Sequence, residues 1–219
     1  MGLSVIIPSR NVSNLMACIE AVRDREPEVR FLVIDDGLML AADFSWSRCV
    51  FIRGEKPFIF SRNVNQGIQS AGDDDVILLN DDGLLESYAG FTVLQQEAAS
   101  HPEYGVIAAT CNNVGNTNQW PQEIGLRDEP RMVCFVAVLI PRRTIDLVGM
   151  LDERFTAYGY EDDDYCLRVR RAGLRIGIHD GCFVDHSRLQ STFRSAGGGE
   201  LVKGAEIFRQ KWGADNHAL

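Results

Sequence analysis

The chain lacks the commonest devices for holding a nucleotide, a structural metal or a membrane. It has no GxGxxG and no GxxxxGK[ST] run, so the glycine cradles for dinucleotides and triphosphates are missing. Cys18, Cys49, Cys111, Cys134, Cys166 and Cys182 form no CxxC pair and no Cys/His cluster with zinc-finger spacing. Cysteines scattered in this way fit buried, reduced thiols of a cytoplasmic protein. The longest apolar run, Met132 to Ile140, is too short to cross a bilayer, so no membrane span is expected. No charged region precedes an apolar segment at the start, so no secretory leader is expected either. Ile6 stands where a myristoylation motif needs Ser or Thr. A basic excess is also missing: the net charge is −9, which argues against general nucleic-acid binding. Internal repeats, low-complexity tracts and linkers are absent.

What remains is an ordinary globular composition, 45% hydrophobic and 24% charged, over 219 residues. That length makes one large domain or two small ones with a sizeable core. Short apolar runs alternate with helical patterns from the first residues onward. Strands are expected at Leu3 to Ile7, Phe31 to Ile34, Cys49 to Arg53, Val76 to Leu79, Val106 to Ala109 and Val133 to Ile140, with two short ones at Arg175 to Ile178 and Cys182 to Val184. Helices are expected from Ser13, as cap, to Arg25, and over Arg62 to Ala71, Tyr88 to Ser100, Thr144 to Val148, Tyr160 to Ala172 and Glu200 to Trp212. Cys111 to Asp128 reads as a long loop, and Ser187 to Gly199 as a mobile, Gly-rich one. The alternation implies an α/β fold with a mainly parallel sheet covered by helices.

The run Val76-Ile77-Leu78-Leu79-Asn80-Asp81-Asp82-Gly83 organises the rest. Four apolar residues, read as a strand buried on both faces, end in an amide and two carboxylates. Open α/β sheets bind ligands at the carboxyl ends of their strands. Two further buried strands end the same way, in Ser9-Arg10-Asn11 and Asp35-Asp36-Gly37. If the strands are parallel, the three clusters share one edge and form a nucleotide-type crevice. With no glycine cradle, a divalent cation on Asp82 would neutralise a diphosphate. The plainer reading of each cluster is a polar turn.

A second acidic group is Glu161-Asp162-Asp163-Asp164. Acids in a first helical turn suit the macrodipole, and Asp164 can pair with Arg168 one turn on. Four adjacent acids also repel one another and raise some pKa values, which suits a general base. Tyr158-Gly159-Tyr160 can line a sugar face. His186 follows an apolar strand; imidazole beside carboxylate would suit Mn²⁺ somewhat better than Mg²⁺.

In sum these stretches resemble the family 2 glycosyltransferases, inverting enzymes with the GT-A fold. Ser4 to Asn11 is similar to the family's opening strand and nucleotide loop, and Val33 to Gly37 to its second strand. Pro57-Phe58-Ile59-Phe60-Ser61-Arg62-Asn63-Val64-Asn65-Gln66-Gly67-Ile68 resembles its "PFNFS…N.G" helix, and Leu78 to Asp82 its metal motif in an Asn-x-Asp form. Gly149 to Phe155 is similar to "GGFDERF", and Tyr160 to Arg168 to the "EDxDLCLR" helix. Asn80 in place of an Asp, Met150 in place of a Gly, Tyr165 in place of a Leu and the extra acid Asp163 depart from the pattern. No "QxxRW" motif or membrane segment follows, unlike the membrane synthases of the family.

The resemblance implies one GT-A domain over 1–219, with a nucleotide-binding half (1–110) and an acceptor and catalytic half (111–219). It implies a hexosyltransferase-type enzyme, using a nucleoside-diphosphate sugar, with uridine as base. The acceptor would be a hydroxyl on a glycan, protein, lipid or other molecule. Asp162 would be the base with Glu161 beside it. Pro8, Ser9, Arg10, Asn11, Asp35, Asp36, Arg62, Asn65, Asn80 and Asp81 would bind the donor. Asp82 and His186 would hold Mn²⁺ or Mg²⁺. A nucleotidyltransferase and a non-catalytic nucleotide- or carbohydrate-binding module are the alternatives.

Overall fold

The computed structural model describes residues 2–39, 46–156, 159–188 and 191–213, and for 191–198 the backbone alone. Tyr158 lies outside the described residues, as does the side chain of Arg194.

Strands β1 (Leu3–Ser9), β2 (Arg30–Asp35), β3 (Cys49–Arg53) and β4 (Asp75–Leu79) pair in parallel in the order β3-β2-β1-β4. They form where unbroken apolar runs bury both strand faces. Alternate residues enter two separate cores. Val5, Ile7, Phe31, Val33, Ile77 and Leu79 pack with Leu15 and Ile19 of α1 (Val12–Arg23) and Phe91 and Leu94 of α3 (Gly90–Ser100). Ile6, Leu32, Ile34, Val76 and Leu78 face the other way. They meet Val64 and Ile68 of α2 (Phe60–Ala71) and Tyr165, Cys166 and Val169 of α5 (Glu161–Arg171). Gly67 lets α2 lie close: a Cβ there would fall 2.6 Å from Ile6 Cγ2.

Beyond β4 the sheet is mixed. It continues through β8 (Ala137–Ile140), antiparallel to both β4 and β6 (Tyr104–Cys111), then β9 (Arg175–Asp185), parallel to β6. β5 (Leu84–Leu85) and β7 (Leu126–Asp128) pair antiparallel with β9. The parallel pairing thus belongs to the first four strands and to the β6–β9 pair. The antiparallel β8 brings β6 and β9 back into the direction of β4, so β1, β2, β4, β6 and β9 all end on one edge.

Several local expectations change. Asn11, not Ser13, caps α1: its Oδ1 accepts from the Asn14 amide at 3.1 Å. The two short strands after α5 are one strand, β9, with a register shift opposite Ala109 and Thr110 of β6. The 112–128 loop contains a 3₁₀ turn (Thr117–Gln119) and β7, and it is pinned by Asp180. That carboxylate accepts from the Gln122, Ile124 and Gly125 amides and from Arg127. The expected mobile stretch Ser187 to Gly199 is helical from Ser191, within α6 (Ser191–Trp212). Its glycines disfavour a helix, but propagation from a docked C-terminal half adds one hydrogen bond per residue. α4 (Arg142–Val148) starts two residues earlier than expected.

Asn65 is engaged within the fold. Expected on the donor, it is 3% exposed and bolts α2 to the 149–155 turn. Its Oδ1 accepts from Leu151 N at 3.0 Å, and its Nδ2 donates to Leu151 O and Glu153 Oε1, both at 2.9 Å. Both amide hydrogens are used, so none is left for a ligand. Asn65→Ala strands the Leu151 amide and carbonyl in the core, so it should cost about 1–3 kcal/mol of unfolding free energy. Urea denaturation measures this.

Candidate active site

Where β1, β2, β4 and β9 end, the expected polar clusters meet. The Ser9 hydroxyl donates to Asp81 Oδ2 at 2.6 Å, and Asp36 N donates to Ser9 O at 2.8 Å. Burial pushes the Asp81 carboxyl up to about 6; the charge of Asp82 adds to this, while the Ser9 hydrogen bond and the charges of Arg10 and Arg188 oppose it. Arg188 reaches across from the segment after β9, with Nε 3.3 Å from Asn14 Oδ1 on α1. Arg10 is exposed and Pro8 half-buried. Asn80 closes the turn after β4 through its backbone: Gly83 N donates to its carbonyl, and its own amide donates to Val136 O.

Asp82 and His186 are buried against each other, with Oδ1 and Nε2 3.0 Å apart. β9 delivers the histidine, and Asn112 and Asn113, at the end of β6, fix it. The His186 amide donates to Asn112 Oδ1 at 2.7 Å, and Nδ1 lies 3.1 Å from Asn113 O. A peptide carbonyl only accepts, so Nδ1 carries its hydrogen there. Nε2 therefore faces a carboxylate and needs either a second proton or a cation between them. Burial pushes this imidazole down, but the Asp82 hydrogen bond and charge outweigh it and the net shift is upward. A carboxylate oxygen and an oriented imidazole nitrogen are suitable ligands for a divalent ion of the Mn²⁺ type. Among the described residues no third His, Cys, Asp or Glu joins them, which leaves positions for oxygens of a substrate or water.

The other donor candidates divide. Asp35 Oδ1 accepts from the Gly37 and Leu38 amides at 2.7 and 2.6 Å, so this acid shapes the turn after β2. Asp36 pairs with Lys56. Arg62 is held by Glu55 and by the Pro57 carbonyl, 2.6 Å from its NH2 group. These three stand at the same edge but are engaged with their own loops.

The acidic helix start lies near Cys134, in the stretch that leads into β8. The Cys134 thiol, two residues before the carbonyl that takes the Asn80 amide, is pushed up to about 12 by burial and by the charges of Asp162 and Asp163. Gly159 and Tyr160 both have left-handed backbone, φ 91° and 73°, a rare conformation for tyrosine. That double turn starts α5 and gathers Glu161, Asp162 and Asp163. Burial raises Glu161 to about 7, with Asp163 adding to it, and one of its buried oxygens, Oε2, has no hydrogen-bond partner among the described residues. Burial, then Glu161 and Asp163, hold Asp162 well above the usual carboxylate range. Asp164 differs: it is fully buried and bonded to Arg168, Lys211 and Trp212.

Sequence reasoning missed Asn112 and Asn113, which orient His186, and Asn14, which meets Arg188. Asparagines carry no periodic signal, and their role exists only once β6 and β9 are paired. The i,i+4 pairing of Asp164 with Arg168 was the one visible sign that the last acid is structural.

The raised carboxyls give a stability signature. Glu161 and Asp162 hold protons in the folded state that the unfolded chain releases near pH 4–4.5. Their contribution is complete below that range and is lost as pH rises through about 7. Unfolding free energy in metal-free buffer should therefore fall between pH 5 and 7.5. Glu161→Gln should flatten that fall, as denaturant titrations at the two pH values will show.

Comparison with known proteins bears on the fold and the family. In fold the chain is similar to the crystal structure of GalNAc-T7 with UDP, GalNAc and Mn²⁺. The TM-score is 0.70 at 14% identity, over 87% of this chain and 44% of that one. It is 26% identical to the uncharacterized protein y4gI of Sinorhizobium fredii (strain NBRC 101917 / NGR234), over 78% of this chain. The chain spans about a quarter of that relative's length, 23%. The sequence profile of Glycosyl transferase family 2 matches residues 4–139. More than half of the chain lies in that match, the three strand-end clusters among it, and the chain belongs to the family 2 glycosyl transferases, on a GT-A fold.

Proposed function

We propose that the chain is a metal-dependent inverting glycosyltransferase. It would move a sugar, of hexose type, from a nucleoside-diphosphate sugar to an acceptor hydroxyl, with a UDP-sugar as donor. The observation that carries this reading is the buried Asp82–His186 contact at the end of β4. It shares one sheet edge with Ser9 and Asp81, and the raised acids of α5 lie near Cys134, in the stretch that leads into β8, the strand beside β4. The fold neighbour's UDP and Mn²⁺ support the same assignment.

Asp82 Oδ1 and His186 Nε2 would hold Mn²⁺ or Mg²⁺. A divalent cation there supplies charge neutralisation for the departing diphosphate. Ser9, Arg10, Asn11, Asn80 and Asp81 would line the nucleotide side, and Arg188 would add positive charge over it. Asp35, Asp36 and Arg62 would act from loops they already shape.

Asp162 is the proposed general base. Its carboxylate takes the proton of the acceptor hydroxyl. The oxygen then bonds to the anomeric carbon from the face opposite the diphosphate, which leaves with the electron pair of the broken C–O bond. One substitution of this kind inverts the configuration. The raised pKa suits the task, because a base is most effective with a pKa near the working pH. Glu161, near 7, is in part protonated at neutral pH and limits the charge packed around Asp162.

Asp162→Asn should lower turnover of a UDP-sugar about 10²–10⁴-fold while calorimetric affinity for UDP with Mn²⁺ stays unchanged. Retained turnover would sink the base assignment. Asp82→Ala should abolish Mn²⁺-dependent UDP binding with the fold intact by circular dichroism; unchanged affinity there would remove the metal from the reading.

A further inference from the structure

Three carboxylates in a row have no intrinsic reason to hold one arrangement. Glu161, Asp162 and Asp163 repel one another, and the turn that starts their helix runs through the left-handed Tyr160. Such backbone persists only where its surroundings over-determine it. The surroundings here are the last turn of α6.

Tyr160 immediately precedes the three acids and Asp164 immediately follows them. α6 grips both. The Tyr160 ring lies against Phe208, with centroids 5.7 Å apart, in a small core shared with Phe155, Leu167 and Trp212. Asp164, 0% exposed, accepts from Trp212 Nε1 at 2.8 Å and from Lys211 Nζ at 2.6 Å, besides Arg168 Nε at 2.9 Å. The Lys211 ammonium also lies 2.6 Å from Asp152 Oδ2. It therefore joins the 149–155 turn to the acidic helix. Aromatic faces shield it, with Trp212 at 4.9 Å and Phe155 at 5.9 Å from Nζ. A buried carboxylate with three donors from two helices is costly to assemble for stability alone, since an apolar contact does that as well. It does fix direction, which an apolar contact does not.

We propose that Lys211 and Trp212 are positioning residues for the reaction: by holding Asp164, while Phe208 of the same helix packs on Tyr160, they set the aim of the carboxylates between the two. The proposal rests on the reading of Asp162 as base. Loss of the clamp should lower kcat and leave donor binding alone, because Asp82, His186 and Ser9 are anchored by other strands. A misplacement of about 1 Å can cost about 10²-fold in rate, so losses of about 10–100-fold are expected.

The test compares wild type with Lys211→Met, Trp212→Phe, Lys211→Arg and Asp162→Asn. Turnover of UDP-glucose and UDP-N-acetylgalactosamine with Mn²⁺ is measured, together with UDP–Mn²⁺ affinity and amide hydrogen exchange. The exchange probe is the Asp164 amide, which closes the first helical bond of α5 onto Tyr160 O at 3.0 Å. Lys211→Met and Trp212→Phe should lower kcat by about 10–100-fold with KM and UDP affinity within about twofold. The Asp164 amide should exchange at least about tenfold faster, and Lys211→Arg should recover most of the rate. Two variants keep the test decisive if one does not fold. Unchanged kcat in the folded clamp variants, beside an inactive Asp162→Asn, overturns the proposal alone. So does unchanged exchange at Asp164, or a loss carried by KM. If Asp162→Asn keeps turnover, the base reading has failed, and the proposal falls with it.

Discussion

Carboxylates crowd one edge of this sheet, and removing them from water is costly unless each finds a partner, a proton or a cation. The fold meets that constraint differently at each acid. Asp81 takes the Ser9 hydroxyl and still sits near pKa 6. Asp82 meets His186. Asp164 is given Arg168, Lys211 and Trp212. Glu161 and Asp162 receive little, and their pKa values rise. The groups left least satisfied by protein are those assigned to chemistry, as expected where stability has been spent on function. The long loop and the asparagines that hold His186 follow from the same need, because an imidazole aims one nitrogen only when the other is tied.

Much of this was legible in the sequence because strand ends are. An apolar run that stops at Asn80-Asp81-Asp82 states both its burial and the edge it reaches, and the same holds for Ser9 and Asp35. Cys49 to Arg53 was found to the residue. The clear failures share one cause. The bolt that Asn65 makes to the 149–155 turn was not visible, because its partner Leu151 is far along the chain. The start of α6 was hidden by glycines whose local preference the docked end overrides. The insertion of β8 between β4 and β6 is topological, and no local pattern carries it. Likewise Lys211 and Trp212 read as the ordinary basic, aromatic end of a helix until the packed structure sets them on Asp164.

That strand order has a consequence for the chain as an object. The donor-side clusters come from residues before 110, and Asp162 and His186 from residues after it, so the chain invites description as two halves. The sheet does not divide there. β8 lies between β4 and β6, and its neighbour β4 has every residue buried. A fragment cut at the midpoint would bare one hydrogen-bonding edge of Val76-Ile77-Leu78-Leu79, four uncharged residues in a row. A bare edge of that kind templates pairing with other chains. The two halves therefore stand or fall together: the seam at β4 is where the chain tolerates no cut, and change is left to the surface loops.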